Sequence, residues 1–352
     1  MLVQETESNA GSTNYQGAED FARLTAGYRT ELLAHCYRML GSIHDAEDLV
    51  QETYLRAWRA SASFEGRSSL RAWLYRIATN TCLTAIRSRS RRPLPSGLGG
   101  PSDDPEARPQ ADLHGIRWLE PFPDSVLGAG AGVSAGAGTG LGAVDPADIV
   151  QARGSVRLAL VAAMQHLSAR ERAALILREV AQFPAAETAD ILGVSVAAVN
   201  SALQRARIHL AQASALEEEY AEPAEPECRA LLDRYVTVFE TADLAALPEL
   251  LRADALLEMP PSPTWFDGRP EIVRFLAAQC FRAPGANRML PISANGQPAV
   301  ASYLLGPDGR HHAQSIQVLT VADGLVAGIV AFLDTGLFPT FGLPTVLDTD
   351  RR

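Results

Sequence analysis

The chain has 352 residues and a net charge of −10, a length that suits about two to three domains. With 47% hydrophobic and 20% charged residues it can bury real cores, which excludes global disorder. No run approaches the roughly 18–20 apolar residues of a membrane span, and MLVQETESNAGSTNYQG has no apolar signal core, so a soluble cytoplasmic protein is expected. Cys36, Cys82, Cys228 and Cys280 lie far apart without C-x-x-C spacing, which indicates neither a disulfide framework nor a zinc ribbon. All 31 basic residues are Arg, a bias that a GC-rich genome also produces.

The net charge hides an asymmetry. Residues 21–92 hold 12 Arg against 6 acids, and residues 150–214 hold 7 Arg against 4. Between them, residues 93–149 carry 2 Arg against 8 acids, and residues 215–352 carry 10 Arg against 19. Two basic blocks, an acidic connector and an acidic tail domain are the layout to explain.

In chain order, residues 1–20 read as a disordered polar arm. Residues 21–92 read as helical, broken at Gly41-Ser42 and around Ser61–Ser69. Residues 93–149 carry Pro and Gly throughout; GAGAGVSAGAGTGLGA (128–143) marks a flexible linker with a random-coil reach of roughly 40 Å. Helical periodicity returns over 150–213, and the acidic, Pro-punctuated stretch within 214–227 reads as a hinge. Over 228–341 the pattern mixes helices at 228–252 and 270–282 with strands at 298–305, 311–321 and 325–333. Residues 342–352 form a short tail.

DAEDLVQETYLRAW (45–58) is an amphipathic helix whose Ala46, Leu49, Val50, Thr53, Tyr54 and Ala57 form a buried stripe. Asp45, Glu47, Asp48, Gln51 and Glu52 point outward, either as a solvated face that suits a helix N-terminus or as a docking patch for a basic helix. In FEGRSSLRAWLYRIATNTCLTAIRSRSRR (64–92), Leu70, Trp73, Leu74, Ile77, Leu83 and Ile86 face the core. Arg76, Asn80 and Arg87 share the opposite side with Arg71 nearby. Guanidinium forks suit phosphates, Asn can read a base edge, and Tyr75 or Phe64 offers a ring for single-stranded DNA. A solvated basic helix end explains the same Arg run.

AAETADILGVSVAAVNSALQRARIHL (185–210) carries the sharpest local signal. Gly193 suits a left-handed turn, and Ser195 caps a second helix. In that helix Val196, Val199, Leu203, Ala206 and Leu210 pack, while Ala197, Asn200, Ser201, Gln204 and Arg205 face away. This is helix-turn-helix patterning with an outer face suited to a major groove.

The acidic-helix block, the FEGRSSLRAWLYRIATN block, a linker, LSARERAALILREV (167–180) and GVSVAAVNSALQRAR, in that order, resemble an extracytoplasmic-function sigma factor. The resemblance implies an RNA polymerase specificity subunit with two all-α domains and no cofactor. Its second region would bind the clamp helices of core polymerase through Asp45, Glu47, Asp48, Gln51 and Glu52, with the flap as a further polymerase contact. It would capture the minus-ten element through Phe64, Arg67, Ser68, Arg71, Arg76 and Asn80. Its fourth region would read the minus-thirty-five element with Ala197, Asn200, Ser201, Gln204 and Arg205. Relatives often carry a basic residue where this chain has Asn200 or Ala202, which implies weaker phosphate anchoring and a different promoter. The acidic linker would thread the basic polymerase channel. Within it Trp118, Leu119 and Phe122 of WLEPFPD read as a docking peptide for polymerase or the tail, or as a local collapse. No anti-sigma partner is legible in one chain.

Residues 228–341 resemble the SnoaL-like, ketosteroid-isomerase-like α+β cone, an extension that a subgroup of these factors carries. Isomerases place a carboxylate base in a D-A-x-x-E-D-P stretch. Here Asp254-Ala255-Leu256-Leu257-Glu258-Met259-Pro260 puts Met259 at that position and turns Glu258 to the other strand face. Asp334, Asp267 and the pair His311–His312 read as structural, and adjacent strand histidines do not ligate jointly. The expectation is no catalysis, a possible small-ligand pocket, and regulation in cis by an acidic tail domain packing on the basic sigma regions. The competing readings are a helix-turn-helix regulator with a ligand-sensing cone, which leaves the acidic face unexplained, and an enzyme in the cone.

Overall fold

The structure is a computed structural model that describes residues 18–64, 68–87, 91–109, 115–126, 156–214 and 225–347. The arm before residue 18, Arg67, the Gly/Ala stretch 128–143 and most of the 214–227 hinge lie outside the described residues.

The first domain holds α1 (Ala18–Thr25), α2 (Arg29–Leu40), α3 (Ile43–Ala60) and α4 (Leu70–Arg87). Gly41 ends α2 at φ 69°, and Ser42 starts α3 by accepting from Asp45 N at 3.1 Å. A side chain at Gly41 would also meet Leu119 Cδ1 at 2.7 Å, so glycine serves both the turn and the close approach of the linker. Ala46, Val50, Thr53 and Ala57 of α3 are fully buried, as the stripe predicts.

The second domain holds α5 (Leu158–Met164), α6 (Ala169–Leu175) running into a π turn at Ile176–Val180, α7 (Ala185–Leu192) and α8 (Val196–Ser214). A reciprocal Ser168–Glu171 capping box starts α6. Gly193 at φ 65° turns α7 into α8, where Ser195 Oγ accepts from Ala198 N at 3.2 Å. Val199, Leu203 and Ala206 are buried, whereas Val196, the first helical residue, is 41% exposed, contrary to the expected stripe.

The third domain holds α9 (Glu225–Thr241), β1 (Leu251–Glu258), β2 (Trp265–Asp267), α10 (Arg269–Gln279), β3 (Asn287–Ala294), β4 (Gln297–Leu305), β5 (His311–Ala322), β6 (Leu325–Phe332) and β7 (Val346–Leu347). The expected helix over 228–252 stops at Thr241. Pro248 sits in a short 3-10 turn, and the apolar run beyond it enters β1 with Leu250 and Leu251 buried. The strand order is β2-β1-β6-β5-β4-β3, with β7 on β5, so the domain extends past residue 341. β1 and β6 pair parallel, an exception to the antiparallel sheet, because a long crossover through β2 to β5 separates them.

The sheet divides two cores by the period of two. Val300, Leu319, Ile329 and Ala331 face α9 and α10 inside the cone. Ala299, Ala301, Tyr303, Ile316, Val318 and Phe332 face outward and join the same core as Leu32, Tyr37, Val161 and Ile176 of the helical domains. The tail domain therefore shares a hydrophobic core with the domains before it. The expected acidic-on-basic packing is replaced here by apolar contact.

Candidate functional site

Only part of the acidic face of α3 is open. Asp48 and Gln51 are exposed, Glu47 is half-buried, and Glu52 pairs with Arg56 at 2.7 Å one turn on. Asp45 does not join an outward patch. Arg92 reaches its Oδ2 at 2.6 Å and Arg117 of the linker at 2.8 Å, leaving the side chain 13% exposed. The sequence placed Asp45 outward by helical phase, but two arginines beyond the helix cover it.

On α4, Arg76 and Asn80 are exposed, and Ser68 lies exposed just before the helix. Phe64 is half-buried and packs at a tilt against Trp73, with ring centroids 4.8 Å apart. Tyr75 is no stacking platform: it is buried between His35 and Phe183, and its hydroxyl donates to Glu31 at 3.3 Å. Arg71 is also engaged. It donates to Glu31 at 2.9 Å and to the Ala181 carbonyl at 3.2 Å, and lies over the Phe183 ring at 4.5 Å. Phe183 and Ala181 belong to the second helical domain, so that domain covers one of the expected minus-ten residues.

The outer face of α8 is more open. Ala197, Asn200, Ser201 and Gln204 are all exposed. Arg205 is held by Glu171 Oε1 at 2.8 Å while its side chain stays 57% exposed. Glu171 lies below the usual carboxylate range: burial pushes it up, but bonds from Arg205 and Ser168 outweigh that. Ala202 is buried, so a basic residue there would not face a groove from this helix.

WLEPFPD reads as docking, and the structure shows where it lies. Trp118, Leu119 and Phe122 are buried, and Phe122 packs on Tyr37 at 4.7 Å. Tyr37 donates to the Glu120 carbonyl at 2.8 Å, and Ser42 donates to the Glu120 carboxylate at 2.8 Å. From the other side comes the β3–β4 turn, Asn295-Gly296, with Asn295 at φ 57°. The Asn295 side chain is fully buried; it accepts from Phe122 N at 2.8 Å and donates to Tyr37 Oη at 2.7 Å and to the Val156 carbonyl at 2.6 Å. One amide thus ties the first domain, the linker, the approach to α5 and the tail domain together. An Asn-Gly hairpin signal marks the turn in the sequence, but nothing local marks its distant partners.

Earlier linker residues run along the cone. Ser102 N donates to the Trp265 carbonyl at 2.8 Å, and Trp265 Nε1 donates to the Gly99 carbonyl at 3.0 Å. Ser96 N donates to Glu258 Oε1 at 2.8 Å. Met259 lines the cone cavity and buried Glu258 faces the linker, the alternation expected from the sequence; burial raises the Glu258 pKa. His311 meets the Gly285 carbonyl and His312 meets Asp308, so the two rings part. Asp334 caps a 3-10 turn, and Asp267 is exposed at the end of β2. Among the described residues no cluster of three or more His, Cys, Asp or Glu is placed to hold a metal, and no helix is long and apolar enough to cross a membrane.

Residues 24–92 match the family model of sigma-70 region 2, residues 157–210 that of sigma-70 region 4, and residues 232–329 that of the SnoaL-like domain. The ECF RNA polymerase sigma factor SigG of Mycobacterium tuberculosis is 50% identical over 330 residues, 93% of this chain and 85% of its own. SigJ of the same species is 28% identical over 313 residues, 86% and 88% of the two chains. The crystal structure of SigJ superposes with a TM-score of 0.56 at 24% identity, covering 92% of this chain and 99% of that one, a likeness of fold. Two sigma-70 regions in this order, one ending in a helix-turn-helix, define the class: a sigma-70-type initiation factor. The chain belongs to the ECF RNA polymerase sigma factors, in a form with a SnoaL-like domain at its C-terminal side. The helix-turn-helix regulator is not favoured, because region 2 is matched from residue 24 to 92.

Proposed function

We propose that the chain acts in the cytoplasm as an alternative sigma factor without catalysis of its own, binding core RNA polymerase and reading both promoter elements. Glu47, Asp48, Gln51 and Glu52 supply the polymerase face, Arg76 and Asn80 the minus-ten face, and Ala197, Asn200, Ser201 and Gln204 the minus-thirty-five face. The observation that carries the reading is that these residues, exposed or half-buried, lie on the outer faces of helices in the two sigma-70 regions. Asp45 and Arg71 belong to the same surfaces but are engaged within the chain, Asp45 by Arg92 and Arg117, and Arg71, whose side chain stays 35% exposed, by Glu31 and Phe183. The linker and SnoaL-like domain accordingly regulate the factor in cis, keeping region 2 closed through Asn295.

Co-elution with core polymerase tests the assignment. The full chain should co-elute, and Asp48→Arg with Glu52→Arg should weaken binding while the helical signal is retained. Failure of the wild-type chain to bind core polymerase, with duplex DNA binding intact, would overturn it.

A further inference from the structure

At the end of α2 a cavity of about 150 Å³ lies where three segments of the chain meet. Arg91 and Arg92, just past α4, line it from region 2, Arg117 from the linker and Arg172 from α6 of region 4. Asp45 is the one carboxylate on the lining, so four guanidinium groups face a single negative charge. Glu120, 3.6 Å from Arg92, adds a second carboxylate from outside the lining and still leaves a surplus of two positive charges.

The surplus is built in. Arg92 is fixed by Asp45 at 2.6 Å and by the Trp118 carbonyl at 2.6 Å, and Arg117 reaches the same Asp45 at 2.8 Å. Arg172 is 4% exposed, and no carboxylate pairs with it among the described residues. Its Nη1 donates to the Met39 carbonyl and to Gln165 Oε1 at 2.8 Å, and its Nη2 to the Leu167 carbonyl at 3.3 Å. Its Nε has no hydrogen-bond partner among the described residues. Burial lowers the Arg172 pKa to about 10, which keeps the group charged at neutral pH. Arg91 donates to His166 Nδ1 at 2.9 Å. Burial, with Arg91 and Arg172 nearby, lowers the pKa of that imidazole, so His166 adds no charge of its own at neutral pH.

A buried cation without a counterion is costly, and guanidinium forks match phosphate oxygens in pairs. The volume equals that of roughly five water molecules, which suits one or two phosphate groups. Asp45 already joins Arg92 to Arg117, and an anion that also engages Arg172 extends the tie to region 4.

We propose that this junction binds a small anion bearing one or two phosphate groups, and that the anion fastens region 2, the linker and region 4 in the closed arrangement. Its consequence for transcription rests on the reading of closure in cis; binding itself does not.

The test titrates the full chain alone with inorganic pyrophosphate by isothermal calorimetry. Magnesium-free buffer at about 0.15 M salt screens loose surface attraction. We expect a Kd below about 1 mM, and binding of acetate at least about tenfold weaker. Arg91→Gln with Arg117→Gln should weaken pyrophosphate binding about tenfold, with folding checked by circular dichroism. Arg91→Gln alone, at an exposed side chain, should weaken it about threefold. Arg234→Gln, the same charge change at an exposed position of α9, should leave it unaltered. Saturating pyrophosphate should also slow exchange of the Leu119 and Glu120 amides, which donate to the Pro93 and Gly41 carbonyls and so fasten the linker to region 2. A GDP titration identifies the source of the phosphate: tighter binding than pyrophosphate assigns a nucleotide, equal or weaker binding the inorganic ion. No saturable binding of pyrophosphate, an equal loss in Arg234→Gln, or unchanged exchange at both amides overturns the proposal. A failed polymerase assay would instead count against the sigma reading and leave these measurements standing.

Discussion

Region 2 and region 4 treat their expected contact residues differently. On α8 of region 4 the positions expected to face a groove, Ala197, Asn200, Ser201 and Gln204, stand exposed, and Arg205 is tied to Glu171. In region 2, Asp45 is enclosed by Arg92 and Arg117, and Arg71 is fastened to Glu31 and covered by Phe183. The linker supplies Arg117 and region 4 supplies Phe183, while Arg92 and Glu31 belong to region 2 itself. The difference teaches that covering falls on expected contact residues of region 2, while those expected on α8 stay exposed.

Four changes break or sharpen that contrast. Phe183→Ala has the largest expected effect, because it removes a buried ring from Tyr75 and Arg71 at once. Loss of about 3–5 kcal/mol is expected. Faster amide exchange in α2 and α4, with α9 to β6 less affected, would report that region 2 has been uncovered. If exchange rises equally everywhere, the contact is part of one global core and not a cover.

Acidification is the next test. Burial, with Arg38 and Arg71 nearby, lowers the His35 pKa to about 3, while its Nε2 meets Thr79 at 3.0 Å. The unfolded imidazole takes up a proton near pH 6.5 and the folded one does not. His35 therefore contributes its full stability above pH 6.5 and loses about 1.4 kcal/mol per unit as pH falls toward 3. Glu31, raised by burial, runs the opposite way over the carboxylate range, so the clearest window lies just below 6.5. Chemical denaturation of wild type and His35→Gln across that window checks the slope, which the variant should lack.

On the open side, Gln204→Ala should weaken minus-thirty-five duplex binding by about 1–3 kcal/mol and leave polymerase affinity unchanged. Fluorescence anisotropy with the promoter duplex measures the first, and co-elution the second. Loss of both would mean that region 4 does not separate the two roles.

The sequence made local features legible and left distant partners hidden. Gly41-Ser42, Gly193 and Ser195 announced their turns and caps because each acts within four residues of itself. The buried stripe of α3 and the strands at 298–305, 311–321 and 325–333 followed from apolar period. The run after Asp243 misled because ALPELL fits a helix by apolar content, whereas Pro248 and the sheet decide its path. Asp45 and Arg117 are 72 positions apart and Asn295 and Tyr37 are 258, and no periodicity encodes such pairings. For that reason exposed and covered members of one charged face looked alike. β3, edge-paired to β4 through eight residue pairs, also lacked a clean alternation that would have announced it.

The central claim is that Asn295 helps hold region 2 closed, so the measurement to make is core polymerase affinity of the full-length wild type beside Asn295→Ala. That change removes one acceptor and two donor contacts at a buried site, an expected loss of about 1–3 kcal/mol from the closed form. Affinity for core polymerase should rise by about tenfold as Asp45 and its neighbours become available. Unchanged or weaker binding by a variant that keeps its native secondary structure would contradict the account.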